Sequence, residues 1–271
     1  LFECVVNISE GRRLDVLDTL SSAAGPSLRD HHRDEIHNRS VFTLIHDPVE
    51  LRRDVHALAS ATLQSLDLRD HVGVHPLLGV LDVVPYVALN EGKAPEAVAL
   101  RDDTAAWLAA TFDLPVFLYG PLPDGSVRSL PDVRRGAFRT LTPDYGPAHA
   151  HATWGASALG ARGLLVAWNL WVRGISLDEG AAIAKAIRRR DVRALAFTIG
   201  TFTQISCNLI APLRVGPSTV YDEVVELLPQ GAIDHAELVG LIPEVVLRTQ
   251  DPARWEQLDV SYDKTIEARV A

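Results

Sequence analysis

Seven of the ten histidines lie between His31 and His75. Imidazole is the side chain whose ordinary pKa puts its charge change near neutral pH, so this density fits acid–base chemistry or a metal site in the first part of the chain. His31, His32 and His37 fall on a strand end and the loop after it, while His71 and His75 flank Gly73. Within this group no HxH or HExxH spacing occurs, and no metal is expected. His75 stands out because Pro76 biases its backbone to an extended form. The run Asp70-His71-Val72-Gly73-Val74-His75-Pro76 reads as an ordered loop ahead of a strand bearing Asp82. A loop histidine near a carboxylate suits a general base; the alternative is a surface histidine with no role.

Other polar residues sit at element ends. Arg39, next to Asn38 at a strand entrance, can grip a carboxylate through two parallel hydrogen bonds, or can pair with Asp34 or Glu35 instead. Arg162 follows a run whose glycines, Gly155 and Gly160, let the backbone approach a ligand. That run lacks the spacing and the preceding strand of a dinucleotide fingerprint. Asn7 offers an amide at the end of the first strand, and Ser9 or Glu10 can cap the helix that follows. No Gly-x-Ser-x-Gly elbow and no P-loop occur, which removes support for serine hydrolysis and nucleotide hydrolysis.

The elements that must position these residues come from periodicity. Residues 2–8 read as a strand, 12–24 as a helix, 27–32 and 41–46 as strands, 49–66 as a helix after an Asp47-Pro48 start, and 80–89 as a closing strand. A helix at 95–112 and a strand at 116–119 extend this unit. Later, 164–172, 192–199 and 203–210 read as strands, 177–190 and 217–228 as helices, and 238–242 as a last strand. Both halves show the order βαββαβ, the split βαβ arrangement of ferredoxin-like folds. The expected fold is therefore α/β (α+β): two ferredoxin-like subdomains, each a mostly antiparallel sheet with helices on one face. The boundary is placed near Arg162, after a Gly-rich stretch, giving domains 1–162 and 163–271. Residues 121–151, rich in Pro, Gly, Asp and Arg, read as a functional segment or a linker with helical pattern only at 127–138.

Composition narrows the class. The 271 residues carry 47% hydrophobic and 23% charged side chains, as expected of a folded globular chain. A formal net charge of −9 disfavours a nucleic-acid partner, and the central strands lack the aromatic pair of an RNA-binding sheet. No apolar run reaches the roughly 18 residues of a membrane span, and no leader pattern opens the chain, so a cytoplasmic location without membrane contact is expected. The chain opens at Leu1 and contains no Met, so the true start is expected to lie ahead of Leu1. Cys4 and Cys207 are expected to be reduced core residues. Arginine outnumbers lysine, which suits recognition of carboxylates and equally reflects a GC-rich genome.

The segment Glu3-Cys4-Val5-Val6-Asn7-Ile8-Ser9-Glu10-Gly11 resembles the opening of glutamate formiminotransferase, the N-terminal half of formiminotransferase-cyclodeaminase. His37-Asn38-Arg39-Ser40-Val41, Gly73-Val74-His75-Pro76, Gly79-Val80-Leu81-Asp82-Val83, Val116-Phe117-Leu118-Tyr119-Gly120 and Trp154-Gly155-Ala156 through Arg162 resemble further family segments in the family's order. So do Gln204-Ile205-Ser206-Cys207-Asn208-Leu209 and Glu237-Leu238-Val239-Gly240-Leu241-Ile242-Pro243, so the likeness covers essentially the whole chain. It implies two α/β subdomains, a homodimer, and transfer of a formimino group from N-formimino-L-glutamate to N5 of tetrahydrofolate, the co-substrate. It also implies that His75 is the catalytic acid/base. Arg39 and Arg162 would bind carboxylates, Asp82 would orient the imidazole or stabilise a cationic amidine, and Asn7, Asn38, Gly155 and Asn208 would contribute to substrate or folate binding.

One departure bears on the substrate. Animal members carry a "DVD" sequence ahead of the Asn-Arg pair, where this chain has Asp30-His31-His32, so His32 replaces an acidic group. A related folate-dependent transferase with a different amine donor is therefore an alternative, and a non-catalytic dimer that binds a small ligand is a second. The absence of a cyclodeaminase sequence leads to the expectation that a separate protein deaminates the product.

Overall fold

Alternation along β1 (Phe2–Ile8) turns Phe2, Cys4, Val6 and Ile8 into a fully buried face and leaves Glu3, Val5 and Asn7 on the other. A computed structural model describes residues 1–271, in two units, Leu1–Gly163 and Leu164–Ala271. In the first unit β1 lies between β3 (Arg39–His46) and β4 (Leu81–Ala88), antiparallel to both, and β2 (Leu28–Asp34) pairs with β3. Helix α1 (Leu14–Ala23) joins β1 to β2, and α2 (Pro48–Ser65) joins β3 to β4. This is the expected βαββαβ order, in strand order β2-β3-β1-β4. Leu17 and Leu20 of α1 and Leu51, Val55 and Leu58 of α2 pack against the apolar faces of β1 and β3. Each such side chain contributes roughly 1.5–3 kcal/mol on burial. Asp47 caps α2 as its sequence implies, its Oδ1 accepting the N–H groups of Val49 at 2.9 Å and Glu50 at 3.2 Å.

The sheet continues beyond this core. Helix α3 (Ala94–Phe112) leads to β5 (Val116–Pro121), and β6 (Val127–Arg128) pairs with β5. The Gly-rich stretch expected to mark a boundary forms β7 (Ser157–Arg162), which inserts between β4 and β5, parallel to both. Its small residues hide the strand from sequence reading because β-branched and aromatic side chains are the usual signal. They are required by packing: a Cβ on Gly160 would lie 2.0 Å from the Tyr119 ring.

Within 121–151, α4 (Leu130–Gly136) is started by a capping box between Ser129 and Asp132. Its Val133 packs with Val83, Phe117, Tyr119 and Ala158, whereas Val84, Leu118 and Leu159 point to the core on the opposite face of the sheet. Helices on one face thus describe the βαββαβ core, and α4 covers the other face of the added strands.

The second unit contains β8 (Val166–Arg173), α5 (Leu177–Ile187), β9 (Val192–Ile199), β10 (Phe202–Leu209), α6 (Pro217–Glu226) and β11 (Ile233–Val239), then α7 (Glu244–Leu247) and α8 (Ile266–Val270). Its sheet has the order β11-β8-β10-β9, all antiparallel. The last strand begins five residues before the expected 238–242, because Asp234, His235 and Glu237 break the apolar pattern of a strand whose buried residues are Ala236 and Leu238. Ile242 instead pairs with Thr265. Cys4 and Cys207 are buried and reduced. No helix is long and apolar enough to cross a membrane.

Replacing Gly160 by Ala is expected to lower unfolding free energy by about 1–3 kcal/mol through overpacking against Tyr119. Urea denaturation checks this; an unchanged midpoint would mean that Tyr119 moves aside at no cost.

Candidate active site

Asp82 owes its position to a break in the β1–β4 ladder. Asn7 pairs with Val83 and the next residue, Ile8, with Leu81, so Asp82 is the extra residue of a bulge. Bulges re-aim side chains in this way. Its carboxylate is fully buried. Oδ1 accepts the Leu78 N–H at 2.8 Å, and Oδ2 accepts from Arg39 Nη1 at 2.6 Å and from Arg134 Nη2 at 2.7 Å. Burial alone would raise its pKa, but the two guanidiniums more than reverse that and hold it at about 2.

Arg39 is the first residue of β3, and its Nη2 also donates to Asn7 Oδ1 at 2.8 Å. The alternative pairing with Asp34 or Glu35 does not form. Asp34 Oδ1 accepts the N–H groups of Ile36 and His37, and Glu35 pairs with Arg33. Arg134 comes from α4 and donates through Nη1 to the Pro76 carbonyl at 2.8 Å. The same carbonyl lies 2.7 Å from His75 Nδ1. A carbonyl only accepts, so Nδ1 carries the ring proton and Nε2 is the basic nitrogen. Burial, then Arg39 and Arg134, push the His75 pKa down to about 3, against the opposing effects of Asp82 and the Pro76 carbonyl. The imidazole is accordingly neutral at neutral pH.

Asn38 holds the His75 loop from behind. In a left-handed backbone conformation (φ 49°), its Oδ1 accepts the Gly11 N–H at 2.9 Å and its Nδ2 donates to the Val72 carbonyl at 3.2 Å. His71 Nδ1 lies 3.1 Å from the Ser9 carbonyl, and His37 meets His75 edge-on with ring centroids 5.8 Å apart. Beside Asn38 and His71 opens a pocket of about 200 Å³ that Ser9, Glu10, Arg12 and Asp67 also line.

The structure thus brings Asn7, Arg39, His75 and Asp82 together, with Asn38 as a brace. His32 pairs with Val41, which pairs with Asn7, so His32 shares their sheet face two strands away, roughly 10 Å by strand spacing. Arg162 is not part of the cluster. It pairs with Val87, five residues along β4 from Asp82 and so roughly 16 Å away. Its Nη1 donates to the Gly163 carbonyl.

Gly155 serves the chain itself. With φ at 73°, a Cβ there would lie 2.3 Å from the Leu78 carbonyl, and this close approach pins residues 78–80 ahead of Asp82. Asn208 belongs to β10 of the second unit, where it is exposed. Ser9 does not cap α1. Its Oγ donates to the Gly79 carbonyl at 2.9 Å, and Glu10 accepts the N–H groups of Arg12 and Arg13 instead. Arg134 escaped sequence reading because it lies in a segment with little pattern; the one usable signal was the Ser129–Asp132 spacing of a capping box. No group of three His, Cys, Asp or Glu side chains is arranged to hold a metal ion.

Residues 1–162 match the family model described as formiminotransferase domain, N-terminal subdomain. A protein named glutamate formimidoyltransferase from Thermoplasma acidophilum is 32% identical over 272 residues, covering 91% of this chain and 89% of that protein. Another of the same name, from Streptococcus pyogenes serotype M1, is 34% identical over 205 residues, covering 69% and 68%. A protein named formimidoyltransferase-cyclodeaminase from Sus scrofa is 30% identical over 90% of this chain, which spans half of that protein's length. The fold and these likenesses define an enzyme of the transferase class. The chain belongs to the formiminotransferase domain family.

Asp82→Asn leaves two guanidiniums around a neutral amide and is expected to cost about 3–5 kcal/mol at pH 7, as breaking a buried pair does. Because the Asp82 pKa falls from 3.8 to about 2 on folding, its contribution is complete above 3.8 and is lost as pH falls through 2. Urea unfolding of wild type and variant between pH 5 and pH 3 checks the sign. The gap between the two curves should narrow toward the acid end, and parallel curves would contradict the pairing.

Proposed function

We infer that this chain transfers a formimino group from N-formimino-L-glutamate to N5 of tetrahydrofolate, with His75 as general acid/base. The observation that carries this is the Nδ1–H to Pro76 bond, which makes Nε2 the basic nitrogen of a neutral imidazole beside a cationic cluster. In the reaction N5 attacks the amidine carbon and forms the new C–N bond, giving its proton to Nε2. The carbon–nitrogen bond to glutamate then breaks, and the same proton goes to the departing amine. One group serves both steps and no net proton is consumed.

Charge supports the substrate class. Arg39, Arg134 and Asp82 sum to one positive charge, suited to a donor bearing carboxylates. A carboxylate settling there offsets the guanidiniums that depress His75 and lifts its basicity toward the range useful for proton transfer. Asn7 is a further binding group on the same sheet face. Asn208 is carried by the family likeness alone.

His32 favours a second reading, a folate-dependent transferase with another amine donor, because it places an imidazole on the site's sheet face where animal members have a carboxylate. Residues 1–162 and 163–271 are read as the N- and C-terminal formiminotransferase subdomains. The family resemblance implies a homodimer, and the name of the Sus scrofa relative supports a cyclodeaminase as the next enzyme to act on the product.

A turnover assay with tetrahydrofolate and a panel of formimino donors, coupled to an external cyclodeaminase, separates the two readings. His75→Ala should lose on the order of 10²- to 10⁴-fold in turnover while tetrahydrofolate binding stays nearly intact. Near-normal turnover in that variant would sink the acid/base assignment.

A further inference from the structure

Arg134 has a geometry that the reaction chemistry does not by itself call for. It is held at both ends of one short path. Nη1 donates to the Pro76 carbonyl at 2.8 Å, and Nη2 donates to Asp82 Oδ2 at 2.7 Å. A carbonyl oxygen has two lone pairs, so Pro76 accepts from Arg134 and from His75 Nδ1 together. Asp82 in turn holds the Leu78 N–H, two residues beyond Pro76. The planar guanidinium therefore bridges the loop that bears His75 to the buried carboxylate of β4. Its own helix is fixed independently by the Ser129–Asp132 capping box and by Val133 in the apolar cluster under β5 and β7.

We propose that Arg134 is a positioning residue for His75. By clamping the Pro76 carbonyl to Asp82, it fixes the acceptor that takes the Nδ1 proton and so commits Nε2 to the substrate. This rests on the reading of His75 as the proton-transfer group. A fork with two parallel donors is needed, because an ammonium is a point donor and does not reproduce the bridge. The charged and titratable groups facing the ring are His37 of the preceding loop, itself 3.9 Å from Asp34, Arg39 of β3, Asp82 of β4 and Arg134 of α4. Of these, Arg39 and Arg134 oppose protonation of the ring. Loss of Arg134 thus removes a hydrogen-bond anchor and one of two repelling cations.

The test uses the whole chain labelled with ¹⁵N-histidine, with His75 assigned by comparison with H75A. In R134M, the His75 resonances should move from the Nδ1–H tautomer toward a mixture, and the ring should titrate at higher pH than in wild type. The acid limb of the pH–rate profile should rise with it. Turnover should fall about 10²-fold, the size of loss that misplacement by about 1 Å produces, with KM for tetrahydrofolate changed by less than about threefold and KM for the donor rising because the cluster loses its net charge. R134K, which keeps the charge, should restore the low titration but not the tautomer, and only part of the turnover. A folded R134M with wild-type tautomer and pH limb would overturn the proposal, as would a loss carried by KM alone. Should R134M not fold, R134K with a wild-type tautomer and turnover would overturn it equally. If H75A keeps its turnover, the acid/base reading falls, while the spectra still decide whether Arg134 sets the ring.

Discussion

A single buried carboxylate between two guanidiniums organises the first unit. Asp82 is fully shielded from solvent, and an isolated carboxylate in that position would be neutral. It stays charged because Arg39 and Arg134 reach it from sequence separations of 43 and 52 residues. Through those contacts it ties β3 to β4, and α4 to the loop that bears His75. The bulge that exposes Asp82 to both partners also removes it from the regular ladder, so local strand geometry is given up where the polar cluster needs it.

On the proposed function the same charges bear on the chemistry. Two cations against one anion leave the cluster positive, which suits a carboxylate-bearing substrate, and they add to burial, the larger cause, in keeping His75 neutral. A substrate carboxylate beside the cluster would oppose the two guanidiniums and raise the basicity of the ring. The hydrogen bond from Nδ1 to Pro76 makes Nε2 the basic nitrogen. Position, tautomer and basicity of one imidazole thus all trace to residues brought together by β3, β4 and α4.

Much of this architecture is legible in the chain. The alternation of Phe2, Cys4, Val6 and Ile8 and the Asp47-Pro48 start of α2 are local signals with local causes, and both βαββαβ cores follow from such signals. The strand Ser157–Arg162 is not legible in this way, because its small residues answer to the Tyr119 ring, a constraint from elsewhere in the fold. The site divides along the same line. His75, Asp82, Arg39 and Asn7 can be singled out by type and position, but Arg134 sits in a segment without periodicity and gains meaning only when α4 packs on the sheet. Arg162 and Gly155 lie apart from this cluster: Arg162 donates to the Gly163 carbonyl, and Gly155 closely approaches the Leu78 carbonyl.

On the proposed function, His75 is a neutral base whose affinity for a proton rises when substrate carboxylate meets the Arg39–Asp82–Arg134 cluster. Its most direct test is calorimetric titration of N-formimino-L-glutamate near pH 6 in buffers of differing ionisation enthalpy, on wild type and His75→Ala. Expected is uptake of a fraction of a proton on binding to the wild type and none attributable to the variant. Equal proton stoichiometry in both proteins, with comparable affinity, would contradict it.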